Sequence, residues 1–208
     1  MEVLEISSCS NLKYCNGGRK AHPTLRGFRM VELWCGRHDA DMPEYRRAKM
    51  PGGTYFFTVA IAERCGSLLT DHIDDLRHAF RVAHAARPST IDAIVILPDH
   101  LHCLWTLPPG DANFPVRWSH VKTVFSKRIP LGERRRASRI AKRERGIWQR
   151  RYWEHLIVDD DDLKHHVDYI HYNPVKHGHI ATAADWPHSS FHRYARLGAY
   201  PLDWAGSA

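Results

Sequence analysis

IDAIVILPDHLHCLWTL, residues 91–107, contains two apolar runs that are separated by Pro98-Asp99. β-branched and aromatic residues dominate both runs, and each run has the length of a buried strand. Proline cannot donate a hydrogen bond to a sheet, so the Pro-Asp pair interrupts the ladder. The stretch therefore predicts two consecutive strands, 91–97 and 102–107.

Further helix and strand patterns flank this pair on both sides. The predicted elements are a strand 55–61, a helix from Thr70 or Asp71 to Ala86, a helix 118–129, a strand 152–158 and a helix 160–172. Asn173-Pro174 is expected to stop the last helix, because proline lacks an amide donor. The resulting order, β-α-β-β-α-β and a helix, predicts an α+β fold. The predicted arrangement is a ferredoxin-like split β-α-β antiparallel sheet with a C-terminal helix.

Residues 1–41 differ from the rest of the chain. They carry scattered charges and no sustained period of 2 or 3.6 residues, which predicts a poorly ordered extension. Met42 resembles a natural start, so the extension is consistent with an over-long gene start. The predicted functional domain is 42–208. No apolar run of about 18 residues and no secretory signal is found, and the five cysteines form no CxxC pair, which favours a reducing cytoplasm.

Basic residues are concentrated in one segment. From Arg117 to Arg151 the chain has 13 lysines and arginines against two acids, whereas the remainder has 17 basic and 21 acidic residues. Nucleic-acid backbones bind such segments, because neutralising phosphates releases counterions. The alternative interpretation is a solvated charged loop.

His100 and His102 are two residues apart at the entry to a predicted strand. Side chains at this spacing point to one face, so both imidazoles can contact one metal ion. With 16 histidines in 208 residues, such a pair also arises by chance among surface or core histidines. The pair is therefore a candidate that needs support from elsewhere in the chain.

The helix 160–172 supplies that support. At about 100° per residue, Tyr169 lies outside the centre of the apolar stripe of this helix, and Asn173 sits beside it four residues later. Two imidazoles and an amide oxygen can hold a divalent cation that polarises a scissile phosphate. Tyr169 can then attack phosphorus and form a covalent phosphotyrosine. The alternative is a tyrosine packed at a helix edge, with Asn173 as a turn residue.

Five ordered blocks make the interpretation more specific. They are YRRAKMPGGTYFFTV, ILPDHLHCLWTLP, IWQRRYWEHLI, HVDYIHYNPVKHG and DWPHSSFHRY. In this order they resemble the successive blocks of the REP-associated tyrosine transposases, single-tyrosine members of the HUH nuclease superfamily. The resemblance extends from Met42 to Trp204, about four-fifths of the chain.

The resemblance implies a Mg²⁺- or Mn²⁺-dependent cut in single-stranded DNA at palindromic repeats. It places the catalytic tyrosine on Tyr169, the metal-binding histidines on His100 and His102, and the metal-binding amide on Asn173. It also implies a hairpin DNA partner, no membrane, no small-molecule cofactor, and a monomer associated with the bacterial nucleoid in the cytoplasm. The Arg-rich stretch 131–146 is longer than the family pattern.

Aromatic and basic residues are interleaved around this stretch, as in proteins that stack bases on rings while cations hold phosphates. The predicted DNA-binding residues are Arg46, Arg47, Arg117, Lys122, Lys127, Arg150 and Arg151. Some of the aromatic residues, Trp153 above all, can instead belong to the core.

Two other functions remain open at this point. A two-histidine phosphodiesterase that hydrolyses its substrate needs two H-x-[ST] elements, and neither His100 nor His102 begins one. A non-catalytic DNA-binding repressor of its own repeats needs the fold and the basic surface alone. The combination of tyrosine, two histidines and asparagine favours the enzyme.

Overall fold

The computed structural model describes residues 49–64, 66–133, 135 and 137–204. The predicted extension 1–41 and the predicted DNA contacts Arg46 and Arg47 lie outside these residues. No helix within the described ranges is long and apolar enough to cross a membrane.

Four strands form one antiparallel sheet. They are β1 (Thr54–Ala60), β2 (Thr90–Ile96), β3 (His100–Thr106) and β4 (Trp153–Leu156). Their order across the sheet is β2-β3-β1-β4, and each neighbouring pair is antiparallel. This is the ferredoxin-like arrangement, so the predicted α+β fold is confirmed.

Helices occur in the predicted order, although several bounds differ. They are α1 (Leu68–Asp71), α2 (Ile73–Ala86), α3 (Phe114–Arg128), α4 (Ala137–Ala141), α5 (Asp160–Lys176), a 3-10 turn (Ala183–Asp185) and α6 (Phe191–Arg196). The helix predicted from Thr70 or Asp71 is divided at His72, whose φ of −111° and ψ of 38° are not helical. Helix α3 begins before Trp118, because Pro115 fits the first turn of a helix, where no amide donor is needed.

The two faces of the sheet have different partners. Tyr55, Phe57 and Trp105 point into the core against α2 and α3, where the rings of Trp105 and Trp118 stack with centroids 4.2 Å apart. Each fully buried aromatic side chain stabilises the fold by about 2–3 kcal/mol. Side chains alternate along a strand, so residues such as Phe56 point to the opposite face, which α5 covers.

Helix α5 continues past the point where the sequence predicts its end. Asn173 and Pro174 are buried inside the helix, which ends at Lys176. Proline in a helix interior costs about 3 kcal/mol, but burial of the helix against the sheet outweighs this cost. The prediction that Asn173-Pro174 stops the helix is wrong, and Asn173 lies one helical turn after Tyr169.

The outer edge of β2 is covered by residues 188–190. The amide of Ile96 donates to the carbonyl of His188 at 2.9 Å, and the amide of Ser190 donates to the carbonyl of Ile94 at 2.8 Å. The hydroxyl of Ser190 accepts a hydrogen bond from the amide of Ile94 at 2.9 Å. The backbone groups at this edge of the sheet are therefore satisfied by the chain itself.

Candidate active site

Strand β3 carries the two histidines that the sequence pairs. The strand begins at His100, two residues earlier than predicted, so His100 and His102 lie on one face of it. Their ring centroids are 5.0 Å apart, and only 5% and 2% of their surfaces are exposed. The hydrogen bonds of each ring therefore decide which of its nitrogens can bind a ligand.

Asp99 orients the ring of His100. One Asp99 carboxylate oxygen lies 2.6 Å from His100 Nδ1, and the other accepts from Arg64 Nε at 2.7 Å. Burial alone raises the pKa of Asp99, but the hydrogen bonds and charges of His100 and Arg64 lower it to about 2. An ionised carboxylate only accepts hydrogen bonds. Nδ1 of His100 therefore donates to Asp99, and Nε2 is the nitrogen that remains to bind a cation.

His102 has a buried nitrogen without a hydrogen-bond partner. Its Nδ1 lies 2.9 Å from Thr58 Oγ1, whereas its Nε2 has no partner among the described residues. Burial lowers the pKa of His102 well below its usual value, and the nearby His100 and His177 lower it further. The ring is therefore neutral at pH 7, and its buried lone pair suits a divalent cation.

Helix α5 brings Tyr169 to the same face of the sheet. The Tyr169 ring centroid lies 5.1 Å from that of His102 and 6.0 Å from that of Phe56, and the residue is 8% exposed. Asn173 is fully buried, and its Oδ1 and Nδ2 have no hydrogen-bond partner in the described part of the chain. Buried amides without partners are costly, so a cation at the Asn173 oxygen would offset part of this cost.

Two residues near the site were not predicted. The His177 ring centroid lies 5.4 Å from that of His100, and Lys176 Nζ lies 5.3 Å from the centre of the Tyr169 ring. Burial lowers the pKa of His177, and His100 and Lys176 lower it further. The predicted helix stopped at Tyr172. One further helical turn would have placed His177 on the face of α5 that carries Tyr169.

Arg117 does not belong to the predicted DNA-binding surface. It is 3% exposed, and its guanidinium donates to the carbonyls of Arg87, Pro88 and Asn113. It also donates to the carboxylate of Asp111 at 2.8 Å. This side chain connects the start of α3 to the loop before β2. Because its guanidinium is buried and hydrogen-bonded there, Arg117 is not available to contact DNA phosphates.

The other predicted basic residues are more accessible. Lys127, Arg150 and Arg151 are exposed, although Arg150 also forms an ion pair with Glu144 at 2.9 Å. Lys122 is half-buried and donates to a backbone carbonyl at 3.0 Å. Lys127 and Arg151 therefore remain the strongest candidates for phosphate contacts.

Replacing Asp99 by asparagine will weaken divalent metal binding by about 10- to 100-fold, the usual cost of losing a group that orients a metal-binding histidine. The asparagine side chain would carry no charge, and its amide can donate to His100 Nδ1 and so favour the wrong tautomer. Calorimetric titration with Mn²⁺ measures the effect. Asp74→Asn is the control, because this exposed acid pairs with Arg77 on α2. Equal affinity in the two variants would contradict the role of Asp99.

The chain is similar in sequence to proteins of a single family. It is 47% identical over 165 residues to a REP-associated tyrosine transposase of Escherichia coli, across 79% of this chain and 92% of the relative. A Haemophilus influenzae protein assigned to the same family is 48% identical over 167 residues, across 80% of this chain and 95% of the relative. The chain belongs to the REP-associated tyrosine transposases.

A solved structure of a REP-associated tyrosine transposase bound to a REP hairpin supports the assignment. It matches with a TM-score of 0.68 and 46% identity, covering 80% of this chain and 93% of that one. No protein-family model matches the chain. In this REP-associated tyrosine transposase, the predicted His100, His102 and Tyr169 meet on one face of the sheet, and Asn173 lies one turn along α5.

Proposed function

We propose that this protein is a metal-dependent single-strand DNA endonuclease and strand transferase. It acts on palindromic, REP-like hairpins through a covalent 5′-phosphotyrosine on Tyr169. The observation that carries the proposal is the 5.1 Å separation between the rings of Tyr169 and His102, whose buried Nε2 has no hydrogen-bond partner within the described residues. A nucleophile beside a buried metal-binding nitrogen suits phosphodiester transesterification.

We assign the metal site to His100, His102 and Asn173. Among the residues that the structure describes, Nε2 of His102 and the amide of Asn173 have no hydrogen-bond partner, and both fit a cation such as Mg²⁺ or Mn²⁺. When bound, such an ion polarises the scissile phosphate and offsets the charge that develops on it. Asp99 orients the ring of His100, and Thr58 orients that of His102.

Tyr169 supplies the attacking oxygen in this proposal. A bond forms between its phenol oxygen and phosphorus, and the bond from phosphorus to the 3′ oxygen breaks. The phenol proton is lost, and the leaving oxygen takes up a proton to give a free 3′-OH. Phenols have an ordinary pKa of about 10. The ammonium of Lys176 lies 5.3 Å from the centre of the Tyr169 ring, beside the proposed nucleophile.

A labelled single-stranded hairpin, incubated with the protein and Mg²⁺ or Mn²⁺, tests the proposal. We expect a protein–DNA band that survives denaturing electrophoresis, together with a fragment that ends in a 3′-OH. The choice of a hairpin rests on the relative of known structure, which is bound to a REP hairpin. Binding without the covalent band would instead indicate a non-catalytic repressor, and hydrolysis without the band would indicate a phosphodiesterase.

Neutralising Lys127 and Arg151 together will reduce the salt dependence of hairpin binding. Each phosphate contact on a single strand contributes about 0.7 to the magnitude of the slope of log K against log salt. The slope of the Lys127→Gln/Arg151→Gln variant should therefore be smaller in magnitude by up to about 1.4. Fluorescence anisotropy over a range of NaCl concentrations gives the slope. Arg81→Gln is the control, because Arg81 is an exposed residue of α2. An unchanged slope in the double variant would show that Lys127 and Arg151 do not contact DNA phosphates.

A further inference from the structure

A second group of metal-binding side chains lies where β4 meets the start of α5. His155 belongs to β4, and Asp162 and His166 belong to α5. One potential ligand atom from each of the three residues lies within 4.8 Å of the other two. None of these residues belongs to the site proposed for DNA cleavage.

The carboxylate of Asp162 joins the two imidazoles. Its Oδ2 lies 2.8 Å from His155 Nε2, and its Oδ1 lies 3.0 Å from His166 Nδ1. The same Nδ1 donates to the backbone carbonyl of Asp162 at 2.9 Å, so binding an ion through it requires that this hydrogen bond is given up. A tetrahedral Zn²⁺ with bonds of about 2.0–2.1 Å separates its ligand atoms by about 3.3 Å. Each imidazole nitrogen therefore lies a few tenths of an ångström closer to the carboxylate than two ligands of one ion would, and all three ligand atoms lie within 4.8 Å of one another.

The surroundings hold the two rings in place. His166 is 9% exposed and its ring centroid lies 4.6 Å from that of Phe56. The His155 ring lies between Trp153 and His166, with a centroid separation of 4.8 Å and an interplanar angle of 18° to the His166 ring. The His155 side chain is 35% exposed, so an ion in solvent can reach this group.

Helix capping explains only part of this arrangement, in which Asp162 Oδ2 also accepts a hydrogen bond from the amide of Val158 at 3.1 Å. The cap of α5 is Asp159, whose side chain accepts a hydrogen bond from the amide of Asp162 at 2.8 Å. Two imidazoles that share one carboxylate are not required for that role. A pair of imidazoles with a carboxylate is, however, a common ligand set for Zn²⁺ and related ions, whereas Mg²⁺ prefers oxygen ligands.

We propose that His155, Asp162 and His166 bind a Zn²⁺-class transition-metal ion at a site separate from the catalytic one. The three protein ligands leave a fourth position for water. The ion would fasten β4 to the first turns of α5. Since His166 lies three residues before Tyr169, the bound ion would also fix the position of α5, the helix that carries the proposed nucleophile.

Zn²⁺ titration of the full-length His100→Ala/His102→Ala protein tests the site, because this background removes the catalytic ligands. We expect one equivalent to bind by calorimetry, Co²⁺ to give visible absorption bands of a tetrahedral complex, and Zn²⁺ to raise the melting temperature. Adding His155→Gln should weaken binding by more than about tenfold. Glutamine keeps a donor for Asp162 and so preserves the hydrogen bond.

His165→Gln is the matched control, because His165 is an exposed neighbour on the same helix. It should leave the affinity for Zn²⁺ unchanged. The proposal fails if the background protein binds no Zn²⁺, or if His155→Gln and His165→Gln have the same effect. His166→Gln provides a second test if His155→Gln does not fold. These outcomes do not depend on DNA cleavage, so they are separable from the proposed function.

Discussion

The Tyr169→Phe variant will lose DNA cleavage and the covalent protein–DNA band, with a fall in rate on the order of 10⁴-fold or more, as expected when an enzyme loses its nucleophile. Hairpin affinity should stay nearly unchanged. The substitution removes one oxygen and keeps the ring that packs against Phe56 and His102. Single-turnover cleavage of one labelled hairpin, with anisotropy for binding, measures both quantities.

Tyr172→Phe is the matched control for this experiment. Tyr172 lies on the same helix, but its ring contacts Trp204, with centroids 6.4 Å apart. We expect this variant to cleave at the wild-type rate. Full cleavage and adduct formation by Tyr169→Phe would refute the nucleophile assignment. Loss of cleavage in Tyr172→Phe alone would identify Tyr172 as the nucleophile and leave the proposed type of reaction unchanged.

The second large effect is expected from His102→Ala. Without the buried Nε2 of His102, metal-dependent cleavage should fall by about 10³-fold, which corresponds to about 4 kcal/mol of lost transition-state stabilisation. Higher Mn²⁺ concentrations should restore part of the rate if the variant binds metal more weakly. Cleavage rates at a series of Mn²⁺ concentrations separate metal affinity from the maximal rate.

His78→Ala controls for the loss of a partly buried imidazole, because His78 lies on α2, on the other side of the sheet. Urea unfolding of both variants shows whether the fold is retained. A His102→Ala protein that is folded and cleaves at the wild-type rate at every Mn²⁺ concentration would rule out His102 as a metal ligand.

Strand alternation made much of the site predictable. A spacing of two places His100 and His102 on one face of any strand, and β3 has this geometry although it begins earlier than predicted. The order of strands and helices likewise follows from hydrophobic periods and turn residues. These features depend on local sequence, so a single amino-acid sequence is enough to predict them.

Other features depend on tertiary contacts, and these were missed. Pro174 is a local signal to end a helix, but packing of α5 on the sheet overrides it. Because the predicted helix ended too early, His177, which directly follows the added turn, was missed. Arg117 was read as a surface cation because charge alone does not show that several carbonyls surround it. Burial of a charged group is decided by neighbours that are distant in the sequence.

The covered edge of β2 has a consequence for association between molecules. An exposed strand edge is a template on which a second chain can add a strand, and residues 188–190 occupy that template with the chain's own backbone. Cutting the chain just before this segment would uncover unpaired amides and carbonyls beside an intact sheet. Residues 188–190 thus block strand addition at the β2 edge of the sheet, in addition to packing against the domain.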